Sequence, residues 1–265
     1  MAALIGRAAL LLDALDMRLL LQIVIVCMSG QVLARPHVLV VTATAGYRHD
    51  SIPVAEQVLQ LIADEQDVEI SFIRTVDDVA IHLVRSGLSG IKAVLFVNTS
   101  GELPASAANA IVQWVRDGGT FVGVHSASDT WHAVPEYVAM LGGEFVGHPP
   151  ETNASVIVDD STHLATQSLP SPHVLFEEFY YLGKVDLSAI RTLLSIRTRP
   201  EPPADAGYWP LAWEKQFGRG RVLYTALGHR ADVWLSQWFR THVTGIVRWA
   251  IAPAPAQARR RAVRH

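Results

Sequence analysis

Cysteine is nearly absent from this sequence of 265 residues, whose one thiol belongs to Cys27. Cys27 lies in an N-terminal segment that we predict to be removed during export. A mature chain that starts near Arg35 then contains no thiol. Disulfide bonds, cysteine-ligated zinc and catalysis by a thiolate are therefore excluded together.

Phosphate-binding loops and a basic surface are missing as well. No Gly-x-Gly-x-x-Gly follows a strand-like run and no Walker loop occurs, which argues against a tightly held nucleotide. The net charge is -3, and residues 253–265 form an acid-free tail with four arginines, so the remainder is more acidic still. We expect no nucleic-acid partner. The tail is predicted to be disordered, the alternative being a basic arm that contacts a partner.

The N-terminal apolar run is too short to cross a bilayer. It covers only the ten residues from Leu19 to Met28 and follows Arg18, and small or aliphatic residues come after it. This pattern predicts a secretory signal peptide over residues 1–34, with Met17 as an alternative start. We therefore expect a periplasmic or secreted protein without stable membrane insertion, the disfavoured alternative being a membrane anchor.

An α/β fold is predicted by the alternation of apolar runs and helical patterns. At 50% apolar and 18% charged residues, the chain suffices for one domain, which we place at residues 35–252. Short connections link the elements, so the order β-α-β-α-β predicts a doubly wound, mostly parallel sheet. The predicted strands are residues 37–42, 68–73, 90–98 and 120–124, and the predicted helices are residues 51–62 and 104–116.

The second half of the chain predicts additions to this sheet. Ser51, at the start of the first helix, is expected to cap it with its hydroxyl group. The Pro-rich residues 198–209 are predicted to form a loop. The further predicted elements are a helix at 134–141, a loop or short strand at 144–149, strands at 154–158 and 189–196, a hairpin of 211–213 with 221–227, and a closing helix at 238–251.

Residues 118–129, Gly-Gly-Thr-Phe-Val-Gly-Val-His-Ser-Ala-Ser-Asp, join a buried strand to a tight turn. Small residues two before and two after His125 resemble the spacing of a strand-to-helix elbow, which leaves the central side chain clear of the backbone. Ser126 is favoured as a hydroxyl that ties down this turn, and it acts as a nucleophile only if a base lies beside it. Asp129 can orient His125 or accept from a substrate hydroxyl group, or it can cap a short helix at residues 130–132.

Four histidines follow strands or strand-like runs, where ligands of parallel sheets bind: His49, His125, His148 and His229. Imidazole serves both general acid/base chemistry at neutral pH and binding of zinc or related ions. The four can therefore form a proton relay, or a metal cage with a carboxylate. None has the i, i+4 spacing of a helical zinc site.

Two neighbouring glutamates, Glu177 and Glu178, lie among aromatic residues. Apolar neighbours raise the pKa of a carboxyl group, and aromatic rings suit sugar rings. Because side chains alternate along a strand, only one of the two glutamates is expected to face the site. We expect Glu178 and Tyr180, which share a face of the strand, to be the residues that face the site. The alternative is that this segment is a polar edge strand without a functional role.

Several segments together resemble the trehalose-utilisation (ThuA-like) family of the class I glutamine-amidotransferase-like superfamily. The resemblance covers about residues 37 to 251 and implies a flavodoxin-like three-layer sandwich, in which His125 occupies the superfamily's nucleophile position. Glu177 departs from the family pattern, where aspartate is commoner. The matching segments are residues 47–52, 118–129, 142–149, 177–180, 210–213 and 220–229.

Histidine in the nucleophile position excludes the glutamine amidotransferase reaction, which needs a thiolate. The resemblance implies a carbohydrate ligand, either a trehalose-related disaccharide or a keto-glycoside. As an enzyme, the chain is expected to use His125 as acid/base oriented by Asp129, with Glu178 as second proton-transfer group. The predicted substrate contacts are Arg48, Ser126 and Tyr180, and the residues predicted either to contact substrate or to bind a divalent metal such as zinc are His49, His148 and His229. The alternative is a carbohydrate-binding protein without catalysis.

Overall fold

The computed structural model describes residues 34–198 and 206–253, and the described residues from Pro36 onward form one compact unit. The predicted signal peptide and the predicted tail lie outside the described residues, apart from Ala34 and Pro253. No helix within the described part of the chain has the length and apolar character needed to span a membrane.

A mixed sheet of nine strands, in the order β2-β1-β3-β4-β11-β10-β9-β6-β7, forms the centre of the fold. Five neighbouring strands, from β2 to β11, run parallel, and the remaining four continue the sheet in antiparallel fashion. A separate antiparallel pair consists of β5 and β8. The strands are β1 (His37–Val41), β2 (Glu69–Ile73), β3 (Ile91–Val97), β4 (Thr120–Val124), β5 (Glu144–Gly147), β6 (Thr152–Val158), β7 (His173–Glu177), β8 (Tyr181–Gly183), β9 (Arg191–Thr198), β10 (Ala206–Phe217) and β11 (Gly220–Thr225).

Helices cover both faces of the parallel part of the sheet. Side chains of β1 alternate between the two faces, so that Val38 and Val40 enter one apolar core while Leu39 and Val41 enter the other. The first core includes α1, α5 and α6, and the second includes α2, α3 and α4. The helices are α1 (Ile52–Glu65), α2 (Val76–His82), α3 (Ala105–Arg116), α4 (Pro135–Leu141), α5 (Ala231–Leu235) and α6 (Gln237–Ile251), with a 3-10 turn at His125–Asp129.

The predicted three-layer α/β fold is confirmed, with two local corrections. Strand β10 starts at Ala206, so the predicted loop over residues 198–209 is wrong at its C-terminal end. Ser51 precedes α1 but its hydroxyl does not cap the helix; it accepts a hydrogen bond from Nδ2 of Asn98 at 3.0 Å. Ser51 therefore fastens the start of α1 to the end of β3.

The parallel strands bring distant residues to one edge of the sheet. His49 follows β1, Asn98 follows β3, His125 follows β4 and His229 follows β11. Since these strands are neighbours in the order β1-β3-β4-β11, their carboxyl ends form one continuous rim. The rim is where the candidate site lies.

Candidate metal centre

His125 occupies the elbow that the spacing predicts. Its backbone has φ 51°, a left-handed conformation, and its side chain is fully buried. The small neighbours are required, because a Cβ atom at Gly123 would come within 2.7 Å of Leu141 Cδ1 and 3.2 Å of Ala127 Cβ. The turn thus places an imidazole, rather than a thiol, at the end of β4.

The hydrogen bonds of His125 define its neutral form. Nδ1 lies 2.8 Å from the carbonyl oxygen of Ala226, which can only accept, so Nδ1 carries the proton and Nε2 carries a lone pair. Nε2 accepts a hydrogen bond from the hydroxyl group of Tyr180 at 2.7 Å. Burial lowers the pKa of His125 below its ordinary value, although hydrogen bonds to Glu178 and Ala226 oppose that effect. The lone pair of a neutral imidazole therefore points into the site.

His49 packs edge-on against the other two imidazoles. Its ring centroid lies 4.8 Å from that of His125 and 5.1 Å from that of His229. Nδ1 lies 3.4 Å from Oγ of Ser126, which leaves Nε2 for a ligand. Burial, followed by the neighbouring imidazoles, lowers the pKa of His49 to about 3. His49 is therefore neutral at physiological pH.

His229 lies between two carboxylates. Nδ1 is 3.2 Å from Oε2 of Glu178, and Nε2 is 3.2 Å from Oε1 of Glu151. Burial disfavours the charged imidazole, but the hydrogen bond to Glu178 and the nearby carboxylates outweigh it and raise the pKa of His229. The site therefore favours a positive charge at this position.

Glu178 lies at the centre of the cluster. Its Oε2 is 3.4 Å from Nε2 of His125, and its Oε1 is 2.9 Å from Nδ1 of His148. Burial alone would raise the pKa of Glu178, but the adjacent imidazoles of His125 and His229 reverse this and hold the pKa far below its ordinary value. A carboxylate oxygen so close to the lone pair of a neutral imidazole is stabilised only by a shared cation, either a proton or a metal ion.

Four residues together have the donor set of a metal centre: His49, His125, Glu178 and His229. One ligand atom from each lies within 4.8 Å of the others, and three of the four side chains are buried. Each also has an outer partner, by which we mean a group that contacts the atom facing away from the centre: Ser126, Ala226, His148 and Glu151 respectively. Outer partners of this kind fix the orientation of metal ligands. The cluster can therefore hold a metal ion.

The structure separates the three histidines that we predicted either to contact substrate or to bind a metal ion. His49 and His229 belong to the cluster, whereas His148 lies on the opposite oxygen of Glu178, with 42% of its side chain exposed. His125 and Glu178, which we predicted to transfer protons, complete the set instead. The position of His148 after a strand-like run predicted that it lies near the site, but not which oxygen of Glu178 it contacts.

Asp129 neither contacts His125 nor caps a helix, while its predicted contact with a substrate hydroxyl group stays a prediction. Its carboxylate pairs with Nε2 of His132 at 2.9 Å, and both ring nitrogens of His125 have other neighbours. No helix forms at residues 130–132, because the 3-10 turn ends at Asp129. The group that orients His125 is the Ala226 carbonyl.

Both glutamates of the pair face inward, which corrects the assumption of strand alternation. Strand β7 ends at Glu177, so Glu178 is free of the alternation. Oε1 of Glu177 accepts a hydrogen bond from the backbone N–H of His229 at 2.6 Å, while Oε2 is buried without a partner among the described residues. Burial raises the pKa of Glu177 to about 8, which keeps it neutral at pH 7.

The three predicted substrate contacts occupy different positions. Tyr180 and Ser126 touch the cluster, through His125 and His49 respectively. Arg48 is exposed and its Nη1 donates to the carbonyl oxygen of Thr42 at 3.2 Å. Arg48 thus lies beside the loop that carries His49 rather than in the cluster.

Two site residues were missed by sequence reasoning. Asn98 has φ 52° and donates from Nδ2 to the carbonyl oxygen of Gly228 at 3.0 Å, which fixes the turn before His229. Glu151 follows two prolines in the connection between β5 and β6. Asn98 ends a predicted strand and could have been found by that position, whereas Glu151 has no local signal.

An open cleft of about 400 Å³ adjoins the cluster at His229. Tyr47 is 64% exposed, and its ring packs edge-on against His49 at 4.9 Å. The cleft gives a ligand access to the outer edge of the buried imidazoles. Its lining residues are Tyr47, Asp50, Ser51, Glu151, His229, Arg230, Ala231 and Asp232.

The fold is shared with solved structures of several proteins. A ThuA-like protein from Bacteroides uniformis superposes with a TM-score of 0.67 at 20% identity, covering 84% of this chain and 94% of the other. A ThuA-like protein from Parabacteroides merdae gives 0.68 at 16% identity, covering 82% and 90%. A β-galactosidase from Rahnella sp. R3 gives 0.55 at 14% identity, covering 83% of this chain but only 32% of the enzyme. These likenesses define the class as an α/β domain of the ThuA-like fold.

The sequence itself identifies the family. The family model for trehalose utilisation (ThuA) matches residues 37–250, nearly all of the described chain. The protein therefore belongs to the ThuA family, and the predicted resemblance is confirmed. No curated protein matches the sequence.

Proposed function

We propose that this chain is a sugar-processing enzyme whose cluster of His49, His125, Glu178 and His229 binds a divalent metal ion. The observation that carries the proposal is the convergence of four ligand atoms within 4.8 Å, each backed by an outer partner. Convergence of this kind favours catalysis over sugar binding alone.

Zinc fits the donor set best. Three imidazoles and one carboxylate oxygen match the ligands that zinc takes in proteins, and the structure supplies neutral imidazoles at His49 and His125. When bound, a divalent ion polarises a substrate oxygen or lowers the pKa of a bound water. Glu178 supplies a negative charge that a cation compensates.

The chain's own groups supply proton transfer beside this centre. Glu178 is ionised and is proposed to act as the second proton-transfer group when it is not bound to the metal, whereas Glu177 is neutral at pH 7 and its Oε1 holds the His229 backbone. Burial raises the pKa of Tyr180 strongly, so its hydroxyl group stays protonated and donates to Nε2 of His125. When a metal ion binds, it would take that lone pair, and the Tyr180 hydroxyl group would become available to donate to a substrate oxygen.

A carbohydrate substrate is supported by the cleft and by the family. The exposed ring of Tyr47 offers an apolar face for a sugar ring, and the carboxylates of Asp50 and Asp232 offer acceptors for hydroxyl groups. The family is named for trehalose utilisation. We therefore propose a trehalose-related disaccharide or a keto-glycoside as the substrate.

The test combines metal analysis with activity. Purified protein is expected to contain about one zinc per chain, and chelation is expected to remove both the metal and the turnover of trehalose or a keto-glycoside. His125→Ala should lose both, while His132→Ala, an exposed histidine outside the cluster, should keep them. A protein that binds these sugars equally well with and without His125, holds no metal and turns over neither sugar would be a binding protein instead.

The proposal includes export. It is supported by the apolar run from Leu19 to Met28 that follows Arg18. Mass spectrometry of the protein isolated from its own cells should give a chain that starts near Arg35. A chain that keeps residues 1–34 would contradict this part of the proposal.

A further inference from the structure

The residues from His148 to Glu151, which we call the His148–Glu151 loop, contact the cluster at two separate points. His148 Nδ1 lies 2.9 Å from Oε1 of Glu178, and Glu151 Oε1 lies 3.2 Å from Nε2 of His229. Neither contact involves an atom that faces the centre. One loop of four residues thus supplies the outer partners of two of the four cluster residues.

The loop is built to hold both contacts at a fixed separation. Pro149 and Pro150 separate the two contacting residues, and each proline ring restricts its own backbone rotation. The loop leaves β5 of the two-stranded sheet and enters β6 of the nine-stranded sheet, so both of its ends are anchored. Such a segment can hold a side chain in place with little loss of entropy on binding.

A second chain of contacts fixes the orientation of Glu151. Arg230 Nη1 donates to Oε2 of Glu151, and the same guanidinium pairs with Asp232 through Nε at 2.9 Å and Nη2 at 3.1 Å. The guanidinium also lies over the ring of Phe176, at 4.9 Å from its centroid. Oε1 of Glu151 is therefore directed at His229 by groups on the far side of the carboxylate.

We propose that Glu151 and His148 are positioning residues that set the affinity and geometry of the metal centre, by orienting the His229 ring and the Glu178 carboxylate. The proposal rests on the metal centre of the proposed function. Its distinct content is that residues which do not bind the metal determine how tightly it is held. A histidine ligand that donates its second N–H to a carboxylate is a stronger and better oriented ligand.

Metal affinity and cobalt spectra test this proposal without an activity assay. Full-length protein, its metal removed, is titrated with Zn²⁺ against a chromophoric chelator and with Co²⁺ under visible absorption. Glu151→Ala and His148→Ala should each weaken Zn²⁺ binding by about 10- to 100-fold and change the Co²⁺ bands, because a ligand is free to rotate. Glu136→Ala, which removes an exposed glutamate from α4, should change neither.

A conservative variant separates positioning from a structural role. In Glu151→Gln the amide oxygen still accepts from Nε2–H of His229, so the loss of affinity should be smaller than in Glu151→Ala. If circular dichroism shows that Glu151→Ala does not fold, the Zn²⁺ affinity and Co²⁺ spectrum of Glu151→Gln are compared with those of the wild type instead. Equal affinities and spectra for wild type, Glu151→Ala and His148→Ala would overturn this proposal alone. Absence of Zn²⁺ and Co²⁺ binding by the wild type would overturn the proposed function as well.

Discussion

Nδ1 of His125 lies 2.8 Å from the carbonyl oxygen of Ala226, so the end of β11 determines which nitrogen of a histidine at the end of β4 carries a proton. The two strands are hydrogen-bonded neighbours. Because the carbonyl group can only accept, Nε2 of the neutral ring must present its lone pair to Glu178 and His229. The pairing of β4 with β11 thereby determines which nitrogen of His125 is available to accept a proton or bind a metal ion.

The variant His125→Asn tests this lone pair. Asparagine tolerates the left-handed backbone at φ 51° and is a small polar residue, so the fold should persist. The imidazole lone pair is lost, and zinc affinity should fall by more than the roughly 100-fold that an outer partner can contribute. Competition titration measures the affinity, and circular dichroism checks the fold. Wild-type affinity in this variant would show that His125 is not a ligand.

Glu177 should tolerate amidation but not truncation. Since its pKa is about 8, the side chain is neutral at pH 7, and glutamine reproduces both its shape and the acceptor for the His229 N–H. Glu177→Gln should stay within about 1 kcal/mol of wild type in urea unfolding at pH 7. Glu177→Ala should lose about 2 to 3 kcal/mol, because a buried N–H loses its partner and a cavity opens. Equal losses in the two variants would show that the hydrogen bond contributes nothing.

Gly101 is expected to be irreplaceable, in contrast to Gly118. Both have positive φ, at 76° and 124°, but only Gly101 is crowded: a Cβ atom there would lie 2.5 Å from the backbone nitrogen of Gly46. Gly118→Ala should lose about 1 to 3 kcal/mol from backbone strain alone. Gly101→Ala should lose more, and should also weaken zinc binding, because it displaces the loop that carries His49.

Urea unfolding together with zinc titration of both glycine variants checks this. If Gly101→Ala matched Gly118→Ala in both measurements, the close approach of the two loops would have no energetic importance.

His242 should make the folded state sensitive to acid. Burial lowers its pKa from 6.5 to about 4, so between these values the unfolded chain binds a proton that the folded chain does not. Stability therefore rises with pH from about 4 to 6.5 and is complete above that, the contribution of this residue being about 3 kcal/mol. Urea unfolding at pH 4.5 and 7.5 should give a smaller difference for His242→Asn than for wild type. An unchanged difference would mean that other groups cause the acid sensitivity.

Sequence patterns predicted most of the fold, because buried parallel strands are continuous apolar runs and their order alternates with helices. His49, His125 and His229 were predictable for the same reason, since each follows a parallel strand and all such ends meet on one rim. The prediction that only one of the two glutamates faces the site was wrong, because the sequence does not show that β7 ends at Glu177 and that Glu178 lies beyond the strand.

The remaining parts of the site depend on contacts that only folding creates. Glu151 lies in a connection between two different sheets, and its contact with His229 joins segments that are 78 positions apart in the sequence. His148 was predicted either to contact substrate or to bind a metal ion, and its position in the sequence could not show that it contacts the outer oxygen of Glu178. In both cases the information lies in tertiary packing rather than in local periodicity.

The four cluster residues come from four separate segments, the last of which follows β11. During synthesis the chain cannot bring these four residues together until residue 229 has left the ribosome and β11 has paired with β4. If the cluster binds Co²⁺ as proposed, its visible absorption bands would show when all four residues have come together during folding. A fragment that ends before His229 would not give these bands.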